Sequence, residues 1–224
     1  MNIFSRFRRK TDFRAGGLKL TAPDVMCKVM SPMRLPGKFV APYKLDFRDM
    51  CTQTSNQGPT PHCAGYATAG HIEVYKWQTQ HYPEQVDGDA IYAEAKKIDG
   101  DSTEGTTLNA AARAALNLKL IKGSPQYIVN GVEQVKFAIH QFATFVGGFL
   151  ITDEFNYASN KGEIPVIADA KPLGGHSMLV CGYDEEFVYI QNSWGIDWGL
   201  FGFCRLSWPR FINRFMSGLV IRAK

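Results

Sequence analysis

The chain changes character near its middle, and that change limits what it can fold into. Small or apolar residues recur at Cys63, Ala67, Gly70, Val74 and Trp77, the buried stripe of a helix with Pro61 in its first turn. Further helical stretches are predicted over about 89–98, 107–118 and 131–140. The second half instead carries short runs of β-branched and aromatic residues over 145–152, 176–183, 187–191 and 202–206, separated by Gly, Asp and Glu turns. The expected class is α+β: a helical lobe over about 45–140, an antiparallel sheet or barrel over about 141–224, and a cleft between them. A length of 224 residues suits one large domain or two packed lobes.

That layout puts Cys63 at the start of a helix and His176 and Asn192 on strands or strand ends across the cleft. With Gln57 they form a set able to cut an amide through a thioester: nucleophile, base, a group that orients the base, and an oxyanion donor. A thiol of ordinary pKa, about 8.5, is little ionised near neutrality. The helix N-terminus and a protonated His176 are expected to acidify Cys63 as a thiolate–imidazolium pair, with Asn192 accepting from the ring N–H. Gln57 stands six residues before Cys63 in a Gly/Pro turn. Its amide is expected to point back toward the Cys63 backbone N–H, where one such donor contributes about 2.7–4 kcal/mol in the transition state. Taken singly, these residues read as a core thiol, a strand histidine, a turn asparagine and a surface amide; it is the combination that points to catalysis.

The separations of Gln57 from Cys63 and of His176 from Asn192, with Gly174-Gly175-His176-Ser177, Asn192-Ser193-Trp194-Gly195, Trp198-Gly199 and Gly202-Phe203, resemble the papain family of cysteine peptidases over about residues 45–206. The resemblance implies a two-lobe fold, with a helical left lobe and a β-barrel-like right lobe. It implies peptidase activity on a peptide or protein substrate and requires no metal or organic cofactor. It also implies that Trp194 shields the His176–Asn192 pair and that Gly105 and Gly175 bind substrate backbone. Four positions depart from the pattern. Ala64 replaces the usual tryptophan after the nucleophile, Thr60 replaces a disulfide cysteine, and Pro61-His62 replace small residues, His62 being expected to face solvent. The missing staple suggests a bacterial or phage branch. Rival readings are a silent peptide-binding pseudopeptidase and a thiol hydrolase acting on cell-wall peptides.

A formal charge of +4 does not resemble the concentrated basic surface of a nucleic-acid binder. No run of about 18 apolar residues is present to span a membrane, and the basic start lacks the apolar stretch of a secretion signal. The five cysteines, Cys27, Cys51, Cys63, Cys181 and Cys204, are an odd number. Cys63 is the natural free thiol, and Cys181 and Cys204 read as buried thiols in apolar runs, fitting a reducing, cytoplasmic setting. Residues 1–44 read as an arm, basic around Arg6, Arg8, Arg9, Lys10 and Arg14 and then rich in Pro and Met. It is expected to serve either as a short pro-segment over the cleft or as a wrap on the β lobe. His71, His81 and His140 lack metal spacing and read as surface residues, and Asp99, Asp101 and Glu104 as a solvated loop.

Overall fold

The computed structural model describes residues 14–20, 31–51, 54–82 and 84–223. The expected contacts of Arg6, Arg8, Arg9 and Lys10, and the state of Cys27, lie outside the described residues. In chain order the elements are β1 (Ser31–Pro32), β2 (Leu45–Asp46), α1 (Cys63–Gln80), α2 (Gly88–Asp99), α3 (Leu108–Asn117), β3 (Gly123–Ile128), α4 (Val132–Phe142), β4 (Phe145–Thr152), β5 (Pro172–Tyr183), β6 (Phe187–Gln191), β7 (Phe203–Ser207), α5 (Trp208–Arg214) and β8 (Phe215–Ala223). Side-chain caps set the starts of two helices. The Asp87 carboxylate accepts from the N–H groups of Asp89 and Ala90 at the start of α2, and the Thr107 hydroxyl accepts from Ala110 N–H at the start of α3.

The strands form one sheet in the order β1-β3-β8-β4-β5-β6-β7, with β2 paired to β5. Successive residues point to opposite faces. Phe145, Phe149 and Ile151 of β4, Val180 of β5 and Val220 of β8 enter one apolar cluster with Val135 of α4 and Phe211 of α5. Val146, Leu219 and Ile221 enter a second cluster with Ile72 of α1, Ile91 of α2 and Leu108 of α3. Of the two expected forms, sheet or barrel, the structure has the sheet: it is open, its path ends at β1 and β7, and both faces are covered instead of enclosing a lumen. α4 places Val135, Ala138 and Ile139 in the cluster on the far face from α1.

The cysteines Cys51, Cys63, Cys181 and Cys204 are free thiols. Part of the arm wraps the sheet edge: β1 pairs in parallel with β3, Met33 N–H donates to the Tyr127 carbonyl at 3.0 Å, and the Met33 side chain is buried. Among the described residues no helix is long and apolar enough to cross a membrane, and no cluster of three His, Cys, Asp or Glu side chains could hold a metal ion.

His71, expected at a surface, is buried between α1 and the sheet. Its Nδ1 lies 3.0 Å from Thr144 Oγ1, and its Nε2 accepts from Ile221 N–H at 3.3 Å, which places the ring proton on Nδ1. Burial pushes its pKa down to about 4. The unfolded chain, with an ordinary value near 6.5, takes up the proton first as pH falls, so stability present above about pH 6.5 is lost toward pH 4. Between pH 7.5 and 5 this linkage should remove about 2 kcal/mol. Urea midpoints at the two pH values should show a shallower acid loss in His71→Gln than in the wild type; equal losses would exclude His71 as the source.

Candidate active site

Cys63 is the first residue of α1 and is fully buried. Its thiol receives backbone N–H groups from Ser177, Ala64, Cys63 itself and Gly17, so the sulfur lies against β5 at the residue that follows His176. Burial nevertheless dominates and raises its pKa to about 11. On the opposite wall, His176 Nε2 donates to Asn192 Oδ1 at 2.8 Å. Ser193 N–H donates to the same oxygen at 2.9 Å, which fixes the orientation of the Asn192 amide. His176 Nδ1 is left buried without a hydrogen-bond partner, and burial lowers the ring pKa to about 4. The expected thiolate–imidazolium pair is thus corrected for this state: desolvation favours the neutral form of both groups. Trp194 covers His176 at 4.9 Å between ring centroids and is braced edge-on by Trp198, whose indole N–H donates to the Phe155 carbonyl.

Gln57 is pinned on both sides of its amide. Its Oε1 accepts from Ser193 Oγ at 2.6 Å, and its Nε2 donates to the Thr60 carbonyl at 2.7 Å and to the Arg14 carbonyl at 3.3 Å. Its expected oxyanion donor is therefore committed to other acceptors in this state.

The occupant of the cleft is the chain's own segment 14–20. Gly16 and Leu18 N–H groups donate to the Gly175 carbonyl at 2.9 and 3.2 Å, Thr106 N–H donates to the Gly17 carbonyl at 3.0 Å, and Lys19 N–H donates to the Thr106 carbonyl at 2.9 Å. The fit requires glycine on both partners. A Cβ on Gly17 would lie 2.3 Å from the Pro61 carbonyl oxygen, and one on Gly175 would lie 2.3 Å from the Leu18 carbonyl oxygen. Leu18 is buried, with a methyl facing Gly148 and Leu108 nearby. Among the groups that meet the thiol is the Gly17 amide N–H, a donor.

Two expectations change around this segment. The backbone edge next to the occupant is Thr106, whereas Gly105, at φ +80°, makes room: a Cβ there would lie 2.5 Å from the Gly17 carbonyl oxygen. The acidic loop is not merely solvated, since Asp101 takes Lys19 at 2.6 Å and Glu104 pairs with Arg14. The sequence reading missed Gly16, Gly17 and Leu18, although Arg14 and Lys19 flank them and match the charge of the loop at 101–104. Ser193 was missed as well, because a lone serine hydroxyl carries no signature.

No family model matches the chain. Over 81% of its length it is 27% identical to the viral cathepsin of Antheraea pernyi nuclear polyhedrosis virus and 25% identical to that of Choristoneura fumiferana defective polyhedrosis virus. It spans 63% of the length of each of these relatives. Among solved structures it superposes on xylellain, a cysteine protease from Xylella fastidiosa, with a TM-score of 0.80 at 18% identity, covering 97% of this chain and 98% of that one. It also matches procathepsin B S9 from Trypanosoma congolense with a TM-score of 0.75 at 16% identity, covering 94% of this chain and 87% of that one. The fold is that of the papain-like cysteine proteases.

The departures from the papain-like pattern acquire structural reasons. Ala64 is fully buried in the α1–α3 cluster, where small side chains let the helices approach. Thr60, in place of a disulfide cysteine, donates its hydroxyl to the Gln57 carbonyl at 2.6 Å while its own carbonyl takes the Gln57 amide, a polar ring that holds the turn. His62 does not simply face solvent. Its Nδ1 is 2.7 Å from Asp89 Oδ1 and its ring stacks on Tyr92 at 3.8 Å, while the Tyr92 hydroxyl accepts from Gly105 N–H.

Exposed ion pairs such as Arg14–Glu104 contribute about 0–1 kcal/mol each, less than the roughly 1.5–3 kcal/mol from burying a leucine. Backbone fit and Leu18 should therefore hold the segment more firmly than charge does. Gly17→Ala should speed alkylation of Cys63 by iodoacetamide at least about tenfold, a change of about 1.4 kcal/mol in segment occupancy. Molar salt, which screens the exposed pairs, should change the wild-type rate far less. A large salt effect with no effect of Gly17→Ala would reverse that ranking.

Proposed function

We propose that the chain is a papain-like cysteine peptidase held latent by its own residues 14–20. The observation that carries this reading is the convergence of Cys63, the His176–Asn192 pair and Gln57 on one cleft whose backbone edges, at Gly175 and Thr106, already grip an extended peptide. The trypanosomal procathepsin neighbour, itself a proform, is consistent with a covered cleft.

Release of the segment would admit water and a substrate carbonyl. The Cys63 thiol would then pass its proton to His176 Nδ1, the one ring nitrogen not engaged by Asn192, and the sulfur would attack the carbonyl carbon. Gln57 Nε2, freed from the Arg14 carbonyl, would share the oxyanion with the Cys63 backbone N–H. His176 would protonate the leaving amine, leaving a thioester on Cys63, and would later take a proton from the water that hydrolyses it. Asn192 holds the imidazole in the tautomer this requires, and Trp194 keeps water from the His176–Asn192 bond.

The test is turnover of a mixed pool of quenched fluorogenic peptides by protein lacking residues 1–20. That form should hydrolyse peptides that the full chain leaves nearly intact. Cys63→Ala should abolish turnover, Asn192→Ala should lower kcat on the order of a hundredfold, and Gln57→Ala should lower it about 10²–10³-fold. A folded, truncated protein that cleaves no member of the pool would overturn the peptidase reading, and cleavage of cell-wall peptide bridges alone would replace it with the thiol-hydrolase one.

A further inference from the structure

Cys51 follows the short 3-10 turn Arg48–Met50, and Cys181 lies on β5, the strand that also carries His176. The backbone brings the two together. β2 pairs with β5 through Leu45–Tyr183 and Asp46–Gly182, and the next residue, Phe47, donates its N–H to the Cys181 carbonyl at 2.9 Å. The turn then folds back so that Cys51 Sγ donates to the Phe47 carbonyl at 3.5 Å, while Cys51 packs on the cluster that contains Leu179, two residues before Cys181. On the strand side, Cys181 Sγ donates to the Tyr189 carbonyl at 3.5 Å. These contacts bring Cys51 and Cys181 to the same corner of the sheet, and both are free.

We infer that Cys51 and Cys181 are a redox-convertible pair, and that a disulfide between them staples residues 48–51 to the strand that carries His176. The chemistry assigns each thiol a step. Cys51 is half-buried and reachable, whereas Cys181 is fully buried. Oxidised glutathione would therefore be attacked first by the Cys51 thiolate, releasing one glutathione thiolate and leaving a mixed disulfide. The Cys181 sulfur, on losing its proton, would then attack Cys51 Sγ and displace the second glutathione. Two protein thiols are oxidised and one small-molecule disulfide is reduced to two thiols. Burial raises the Cys181 pKa, which keeps its thiol protonated and leaves the first attack to Cys51. The Arg48 guanidinium, fixed 4.2 Å over the Tyr189 ring and paired with Asp46, acts against that rise. The bridge would close a long loop and tie the approach to Gln57 to the His176 strand, constraining the unfolded chain strongly.

This inference does not depend on the peptidase reading, and its test does not use turnover. The full-length protein is incubated with a glutathione redox buffer, quenched by alkylation, and followed by intact mass and peptide mapping. The expected result is loss of two hydrogens in mass, a cross-linked peptide containing Cys51 and Cys181, reversal by dithiothreitol, and a higher thermal midpoint for the oxidised form. Cys51→Ser and Cys181→Ser should each abolish the cross-link while keeping the far-ultraviolet spectrum of the wild type. A stable glutathione adduct on Cys51 with Cys181 still alkylatable, a bridge from Cys51 to Cys27, or full alkylation of both thiols under oxidising buffer would each overturn it.

Discussion

Desolvation of Cys63 and His176 sets the charge state at the centre of this structure. Both side chains are sealed from solvent, and burial moves their pKa values in opposite directions, the thiol up to about 11 and the imidazole down to about 4. Each shift favours the uncharged form. The helix N-terminus beneath Cys63 and the hydrogen bond from His176 to Asn192 act the other way, but neither outweighs the loss of water. The Cys63 thiol is therefore un-ionised beside a neutral His176 in this state.

The scaffold makes that sealing possible at one narrow place. The sheet buries both faces, which gives β5 a rigid course with His176 on the cleft wall and Gly175 on its rim. The backbone of α1 starts where the cleft floor needs a thiol. Segment 14–20 fits between them because Gly17 and Gly175 lack side chains at two contacts where a Cβ would sit 2.3 Å from a carbonyl oxygen. The ion pairs of Arg14 and Lys19 with Glu104 and Asp101 hold the ends of that segment, and Leu18 with four backbone hydrogen bonds holds its middle.

Much of the element plan was legible, because a 3.6-residue stripe and runs of β-branched residues are local signals. The strand at 145–152 and α1 through α4 appear within a few residues of their expected bounds. β3, α5 and β8 were not legible: Gly123-Ser124-Pro125 disguises a strand start, α5 is only seven residues long, and Gly218 interrupts the pattern of β8. The convergence of Gln57, Cys63, His176 and Asn192 followed from residue types and spacing. Their charge state did not, since it depends on what covers them. Likewise His71 and His62 look like surface histidines until Thr144, Ile221, Asp89 and Tyr92, all distant in sequence, are seen to enclose them.

The claim that the chain's own segment keeps the nucleophile un-ionised can be read directly from the thiolate absorbance of Cys63, taken as the difference between wild type and Cys63→Ala across pH. In the full-length protein the Cys63 signal should remain absent through neutral pH and rise only in strongly alkaline solution. In protein lacking residues 1–20 it should already be present near neutrality, as in other cysteines at helix N-termini next to a histidine. Superimposable titrations of the two forms would contradict the account, because the burial that silences Cys63 would then belong to the two lobes and not to the segment lying between them.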